Sequence, residues 1–269
     1  MSRVIFRISV GFVTGALVLL AVSLYMSNYY LGEQVRLMSV GDTPGARSAV
    51  ELAARLDPFS PTPLTSEANI DLLEGRMQAA SDALGEAIRR DPANYNNYVL
   101  LGNLQMERLG KPQDAAESYQ NALEYNPHAV AVVSRYANAL LNAGESEEAR
   151  AQYEWLRENG QISFEDLYAL GRLQVRLGDP EEAIQTLEDT KDKASAGLES
   201  LDEPRKANRE TFIESLDLAI ADALVVQGSY AEAREVLLQS GAEQAPVVLA
   251  LLEEDPEGYR ESVRAAPIS

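Results

Sequence analysis

Two patterns of apolar and polar residues divide this chain. From Ile8 to Gly32 it runs 25 residues without a charge, "ISVGFVTGALVLLAVSLYMSNYYLG". As a helix rising roughly 1.5 Å per residue, that stretch measures about 37 Å, more than a hydrocarbon core of roughly 30 Å. Beyond it the apolar positions recur three and four apart, the period of helices with one buried face. "YVLLGNLQMERLGKPQDAAESYQNALEYNP", Tyr98 to Pro127, reads as two such helices joined at Gly110.

The helices repeat. Turn glycines fall at Gly41, Gly75, Gly110, Gly144, Gly178 and Gly228, at spacings of 34, 35, 34, 34 and 50 residues. Five residues after each comes alanine: Ala46, Ala80, Ala115, Ala149, Ala183 and Ala233. Nine after each comes something larger, namely Val50, Leu84, Tyr119, Tyr153, Leu187 and Leu237. In the first three units alanine recurs at Ala53, Ala87 and Ala122 and proline follows at Pro58, Pro92 and Pro127, whereas later units have Leu156, Thr190 and Ser240 in place of that alanine. A tight turn needs positive φ, which glycine adopts without steric cost. Small residues where two helices cross let the backbones approach, so Gly102 and Ala115 are expected to face each other with Leu101 and Tyr119 at their flanks. Proline then closes the second helix.

A period of about 34 residues with this content resembles the tetratricopeptide repeat family, best seen at Tyr98, Leu101, Gly102, Ala115, Tyr119, Ala122 and Pro127 and in "LYALGRLQVRLGDPEEAIQTL". The resemblance covers roughly residues 41–240. With the uncharged stretch read as one membrane helix (1–32), it implies an all-α fold in which an α-solenoid of five to six helix pairs (33–247) and a capping segment (248–269) follow. No ordinary first helix precedes Gly41, so the membrane helix or its continuation is the expected partner. The longest spacing predicts an insertion at 191–206 with a break at Pro204, then a long helix over about 205–227.

Charge refines the picture. The chain has 23 basic and 42 acidic residues, and only Arg3 and Arg7 are charged before Glu33. That places the N-terminus on the cytoplasmic side and everything from Asn28 onward outside, with Tyr25, Tyr29 and Tyr30 at the far interface. A cleaved signal peptide would need a shorter apolar region and a small-x-small site, for which "SLYMSNYY" is poor. The absence of cysteine excludes disulfides, thiolate metal sites and a lipoprotein anchor. Gly11 and Gly15 form a GxxxG pair through which two membrane helices can approach. The acidic remainder repels nucleic-acid backbones.

No catalytic pattern is found. His128, the only histidine, follows Pro127 in a turn; Gly110-Lys111 lacks the rest of a P-loop; and Glu147-Glu148 and Glu181-Glu182 sit at helix starts, where acids are favoured. No metal or cofactor is expected, and the reading is non-enzymatic. What remains is the surface lined by the first helix of each pair, in this family a groove for peptides or helices. One residue beyond each packing Ala68, Gly102, Ala137 and Gly171 stand Asn69, Asn103, Asn138 and Arg172, and in relatives asparagine there points into the groove. Arg135, Asn142, Tyr168 and Arg176 are expected on the same face. No lysine accompanies them, so the carboxylate clamp with which some relatives hold a chaperone C-terminus is not matched. The expected role is a scaffold or accessory subunit of a membrane protein complex. The alternatives are an envelope assembly or quality-control factor that resembles an ancillary subunit of the secretion translocon, and a detached relative of O-antigen ligase repeat tails, resembled by "ARLDPFSPTPLTSEANIDLLEGRM".

Overall fold

A computed structural model describes the backbone of residues 2–266 and side chains from residue 11 to residue 266. The side chains of Arg3 and Arg7 and the last three residues of the capping segment lie outside the described residues. Among those described, all regular structure is helical, and it falls into two compact units that divide after Pro127.

The first unit contains α1 (Ser2–Ser39), α2 (Thr43–Leu56), α3 (Thr62–Leu73), α4 (Met77–Arg90), α5 (Tyr95–Glu107) and α6 (Pro112–Tyr125). The second contains α7 (Val130–Ala143), α8 (Ser146–Glu158), α9 (Phe164–Leu177), α10 (Pro180–Ser195), a 3-10 turn (Leu198–Ser200), α11 (Glu203–Gln227), α12 (Tyr230–Gln239), α13 (Ala245–Glu254) and α14 (Pro256–Ala265). Six successive helix pairs, α1–α2 through α11–α12, pack together within these units. All six turn glycines have positive φ, from +62° at Gly110 to +99° at Gly228. All six alanines that follow them are fully buried.

The small residue in each first helix makes room for the large residue in the second. A Cβ built on Gly102 would lie 2.6 Å from the Tyr119 ring, and one on Gly171 would lie 2.6 Å from Leu187. Gly102 thus accommodates Tyr119 rather than merely facing Ala115, because the phenol ring needs more depth than a methyl group leaves. Leu156 and Thr190 stay fully buried where alanine was expected, and the Thr190 hydroxyl is satisfied by donating to the Thr186 carbonyl at 2.6 Å.

At the start of the chain α1 itself supplies the first helix of the first pair. Ser23 Oγ donates to the Leu56 carbonyl at 2.7 Å and Ser27 Oγ to the Ala53 carbonyl at 3.0 Å, and Leu37 and Met38 cover Ala46, Val50 and Ile70. Gln34, a polar interruption in the sequence pattern, is buried here. The uncharged stretch therefore has two environments: α2 covers it from Ser23 onward, while every residue from Gly11 to Val22 is exposed. A Cβ on Gly11 or Gly15 would meet nothing. The segment Gly11–Ser39 is long and apolar enough to cross a membrane, a statement of length and composition.

In the insertion, α10 continues to Ser195 and Pro204 sits in the first turn of α11 instead of breaking a helix. Asp202 caps that helix by accepting from the Arg205 amide at 3.1 Å, and proline in a first turn forfeits no intrahelical bond. The Lys191 ammonium lies 2.5 Å from Asp217, tying α10 to α11.

These contacts separate two glycines by their consequences. Gly102→Ala forces its new methyl into Tyr119 and should destabilise the protein by about 1–3 kcal/mol. Gly85→Ala, within α4 and with nothing nearer than the Arg89 guanidinium at 3.8 Å, should stabilise it by about 0.5–1 kcal/mol. Thermal melting of both variants checks the opposite signs.

Candidate functional site

The predicted ladder divides between the two units. In the first, Asn69 on α3 is exposed, and Asn103 on α5 accepts a hydrogen bond from Tyr119 Oη at 2.8 Å. In the second, Asn138 on α7 accepts in the same manner from Tyr153 Oη at 3.0 Å and donates through Nδ2 to the Ser134 carbonyl at 2.9 Å. The phenols explain the asparagines. Where the second helix carries tyrosine, as at Tyr119 and Tyr153, its hydroxyl enters a buried crossing and needs an acceptor. Where it carries leucine, as at Leu84 and Leu187, the corresponding first-helix residues are Asn69 and Arg172 and no such bond forms. Burial, with Asp166 nearby, pushes the Tyr153 phenol well above its usual range, so it remains a donor.

Four predicted residues come together around one hollow of about 330 Å³, lined by Asn138, Leu141, Asn142, Glu165, Tyr168, Ala169 and Arg172. Asn142 donates through Nδ2 to the Asn138 carbonyl at 2.7 Å, and the Arg172 guanidinium stands over the Tyr168 ring, 5.6 Å from its centroid. Tyr168 also meets Phe212 of α11, with ring centroids 6.1 Å apart. The aromatic side chain therefore contacts both a cation and a second ring, which restricts its rotamers before any ligand arrives. The hollow presents amide, guanidinium, phenol and carboxylate groups over an apolar floor, a combination suited to a peptide backbone or a polar helix face. Arg135 on α7 is exposed and outside the hollow's lining.

The continuation of the face is covered by the chain's own C-terminus. Counted from Gly228, the residue in phase with Arg172 is Asp222, which the sequence pattern offered only if the ladder was carried across the longer last spacing. Tyr259 Oη of α14 donates to Asp222 Oδ1 at 2.7 Å, and Arg260 Nε donates to the Val226 carbonyl at 3.0 Å. Arg172, Arg176, Asp222 and Val263 of α14 border a small gap there. The expected capping helix thus becomes two, α13 against α12 and α14 laid on α11 and α9. Burial raises the Asp222 carboxyl, opposed by the Tyr259 hydrogen bond and the Arg172 charge; the Tyr259 phenol is likewise raised, by burial and by Asp222. Arginines away from this face are largely knitted into ion pairs: Arg47 and Arg76 onto Asp71 at 2.8 and 2.6 Å, and Arg150 to Glu154, Asp179 and Glu182 at 2.7, 2.6 and 2.7 Å.

Helix pairs closed by turn glycines, with a small residue opposite a large one, define a protein built of helix-pair repeats. Models of the tetratricopeptide repeat match residues 108–161 and 135–197, so this part of the chain carries tetratricopeptide repeats. A curated relative, the tetratricopeptide repeat and J domain-containing co-chaperone of Cryptococcus neoformans, is 32% identical over 128 residues, 46% of this chain and 24% of its own. The chain thus spans about a quarter of that relative's length. Among solved structures, a tetratricopeptide repeat protein from Parabacteroides merdae shares the fold over 90% of each chain, with a TM-score of 0.59 at 16% identity. YrrB, described as a TPR protein with an unusual peptide-binding site, matches 61% of this chain and 84% of its own, with a TM-score of 0.53 at 23% identity.

The raised Asp222 carboxyl sets a pH dependence. A carboxyl whose folded value lies above its unfolded one opposes folding when ionised. That penalty is present above the folded value and disappears as pH falls through it. Asp222→Asn keeps an oxygen for Tyr259 and removes the penalty, so its melting temperature should exceed that of the parent most at neutral pH. The gap should close as pH approaches the ordinary carboxylate range near about 4. Melting curves across that range, in detergent, check this; a gap independent of pH would assign the Asp222 effect to packing.

Proposed function

We propose that this chain is a non-enzymatic, membrane-anchored scaffold that holds a protein partner in the α7–α9 hollow, as an accessory subunit of a membrane protein complex. The observation that carries the reading is the convergence of Asn138, Asn142, Tyr168 and Arg172 on one open hollow. Arg176 has no ion pair or hydrogen bond among the described residues and extends the positive edge toward an acidic segment of the partner. In this reading residues 2–22 of α1 are the anchor, the N-terminus is cytoplasmic as Arg3 and Arg7 suggest, and the repeats lie on the extracytoplasmic side. Gly11 and Gly15, with nothing packed on them, mark where a second membrane helix would come closest. The likeness to repeats of a co-chaperone favours a second reading, an envelope assembly factor with transient clients; the ligase-tail alternative has no comparable support.

Gentle solubilisation and affinity recovery test the proposal. Asn142→Ala combined with Arg172→Ala leaves the Tyr153–Asn138 bond in place, so helix content and membrane insertion should be unchanged while partner recovery falls. A stoichiometric complex lost in the double variant supports the accessory-subunit reading, and a changing mixture of clients supports the assembly factor. Undiminished recovery would move the contact off this face.

A further inference from the structure

The first helix pair fixes how deeply the repeats sit. Ser23 pairs with Leu56 and Ser27 with Ala53, so α1 and α2 run antiparallel in a defined register. Carrying that register three residues further brings the loop after α2 to the level of Leu20, about 4–5 Å below Ser23 along α1. At that level every α1 side chain is exposed, including Leu19 at 72% and Leu20 at 54%. The same loop displays Phe59 at 87% exposure, more than any other large apolar side chain among the described residues. It is not a loose loop tip. Pro58 and Pro61 flank it, the Ser60 amide donates to the Asp57 carbonyl at 3.3 Å, and Arg90 of α4 donates to the Ser60 carbonyl at 3.1 Å.

We propose that Phe59 is a membrane wedge: the end of α2 rests on the bilayer beside α1 and Phe59 enters the lipid at the boundary between headgroups and hydrocarbon. This rests on the reading of α1 as an anchor and adds to it a second, peripheral contact that sets the height of the repeats. With the hydrocarbon edge at Val22, the uncharged part of α1 below it, residues 8–22, is 15 residues or about 22 Å long, so a core of roughly 30 Å takes in Arg7, whose charge would reach the far interface along its own aliphatic stem; Tyr25 and Tyr29, 71% and 56% exposed, stand above the Val22 edge where aromatic rings are favoured. The uncharged stretch runs on to Gly32 because its last 10 of 25 residues belong to the first helix of a repeat. Arg89 and Arg90 end α4 near the loop, but Glu86 already pairs with both, at 2.6 and 3.0 Å. The contact is accordingly apolar and aromatic before it is electrostatic.

The test uses the full chain in phosphatidylcholine vesicles whose acyl chains are brominated, which quench tryptophan on contact. The single tryptophan, Trp155, is replaced by phenylalanine, and Leu17→Trp and Phe59→Trp are introduced separately. Both probes should lose most of their fluorescence relative to unbrominated vesicles, and shallow bromines should quench Phe59→Trp more strongly than deep ones. Quenching of Leu17→Trp without quenching of Phe59→Trp overturns the wedge and leaves the anchor standing. An unquenched Leu17→Trp overturns both. A blue-shifted but unquenched Phe59→Trp overturns the wedge in favour of a protein surface covering the loop.

Discussion

The structure depends on how closely two helices can approach within a pair. Each crossing is closed by an alanine with no exposed surface, and in two pairs a glycine lies under a ring or a leucine with no room for a methyl group. Buried area grows steeply as backbones approach, because interiors pack at crystal-like density and tolerate few voids. Once the crossing is fixed, the turn must be short, which demands positive φ at the glycine, and the next pair must begin in register. Repetition then follows, since a helix pair alone leaves an apolar face uncovered and the neighbouring pair buries it.

That constraint is legible because it acts on single residues at fixed offsets. Glycine at the turn and alanine five residues later survive even where the outer alanine becomes Leu156 or Thr190. The unusual first pair was also foreshadowed: without a helix before Gly41, the apolar N-terminal helix was the remaining candidate. Its boundary was not legible. Hydropathy cannot distinguish a residue covered by lipid from one covered by α2, and Ser23 and Ser27 look like any uncharged residues until they meet the last carbonyls of that helix.

The site was legible in part. Asn138, Asn142, Tyr168 and Arg172 do gather, because residues one turn apart on neighbouring first helices share a face. The asparagines carried a second meaning that spacing alone does not reveal. Asn103 and Asn138 serve the buried phenols of Tyr119 and Tyr153, so their polarity is explained inside the fold before any ligand is considered. The C-terminus was the larger surprise. An amphipathic last helix reads as a cap for the end of the array, yet α14 lies along the first-helix face and places Tyr259 on Asp222. The signal was Asp222 itself, a carboxylate in phase with the ladder, matched by a tyrosine and an arginine on the last helix.

In the proposed function a protein partner occupies the α7–α9 hollow in the intact membrane. Site-specific photocross-linking tests it most directly, with a photoreactive phenylalanine at Ala169 on the hollow's floor and, as a control, at the exposed Ala151 on α8. The account predicts one dominant covalent adduct from Ala169, containing a subunit of a membrane complex, and none of that adduct from Ala151. Adducts from Ala151 with none from Ala169 would contradict it.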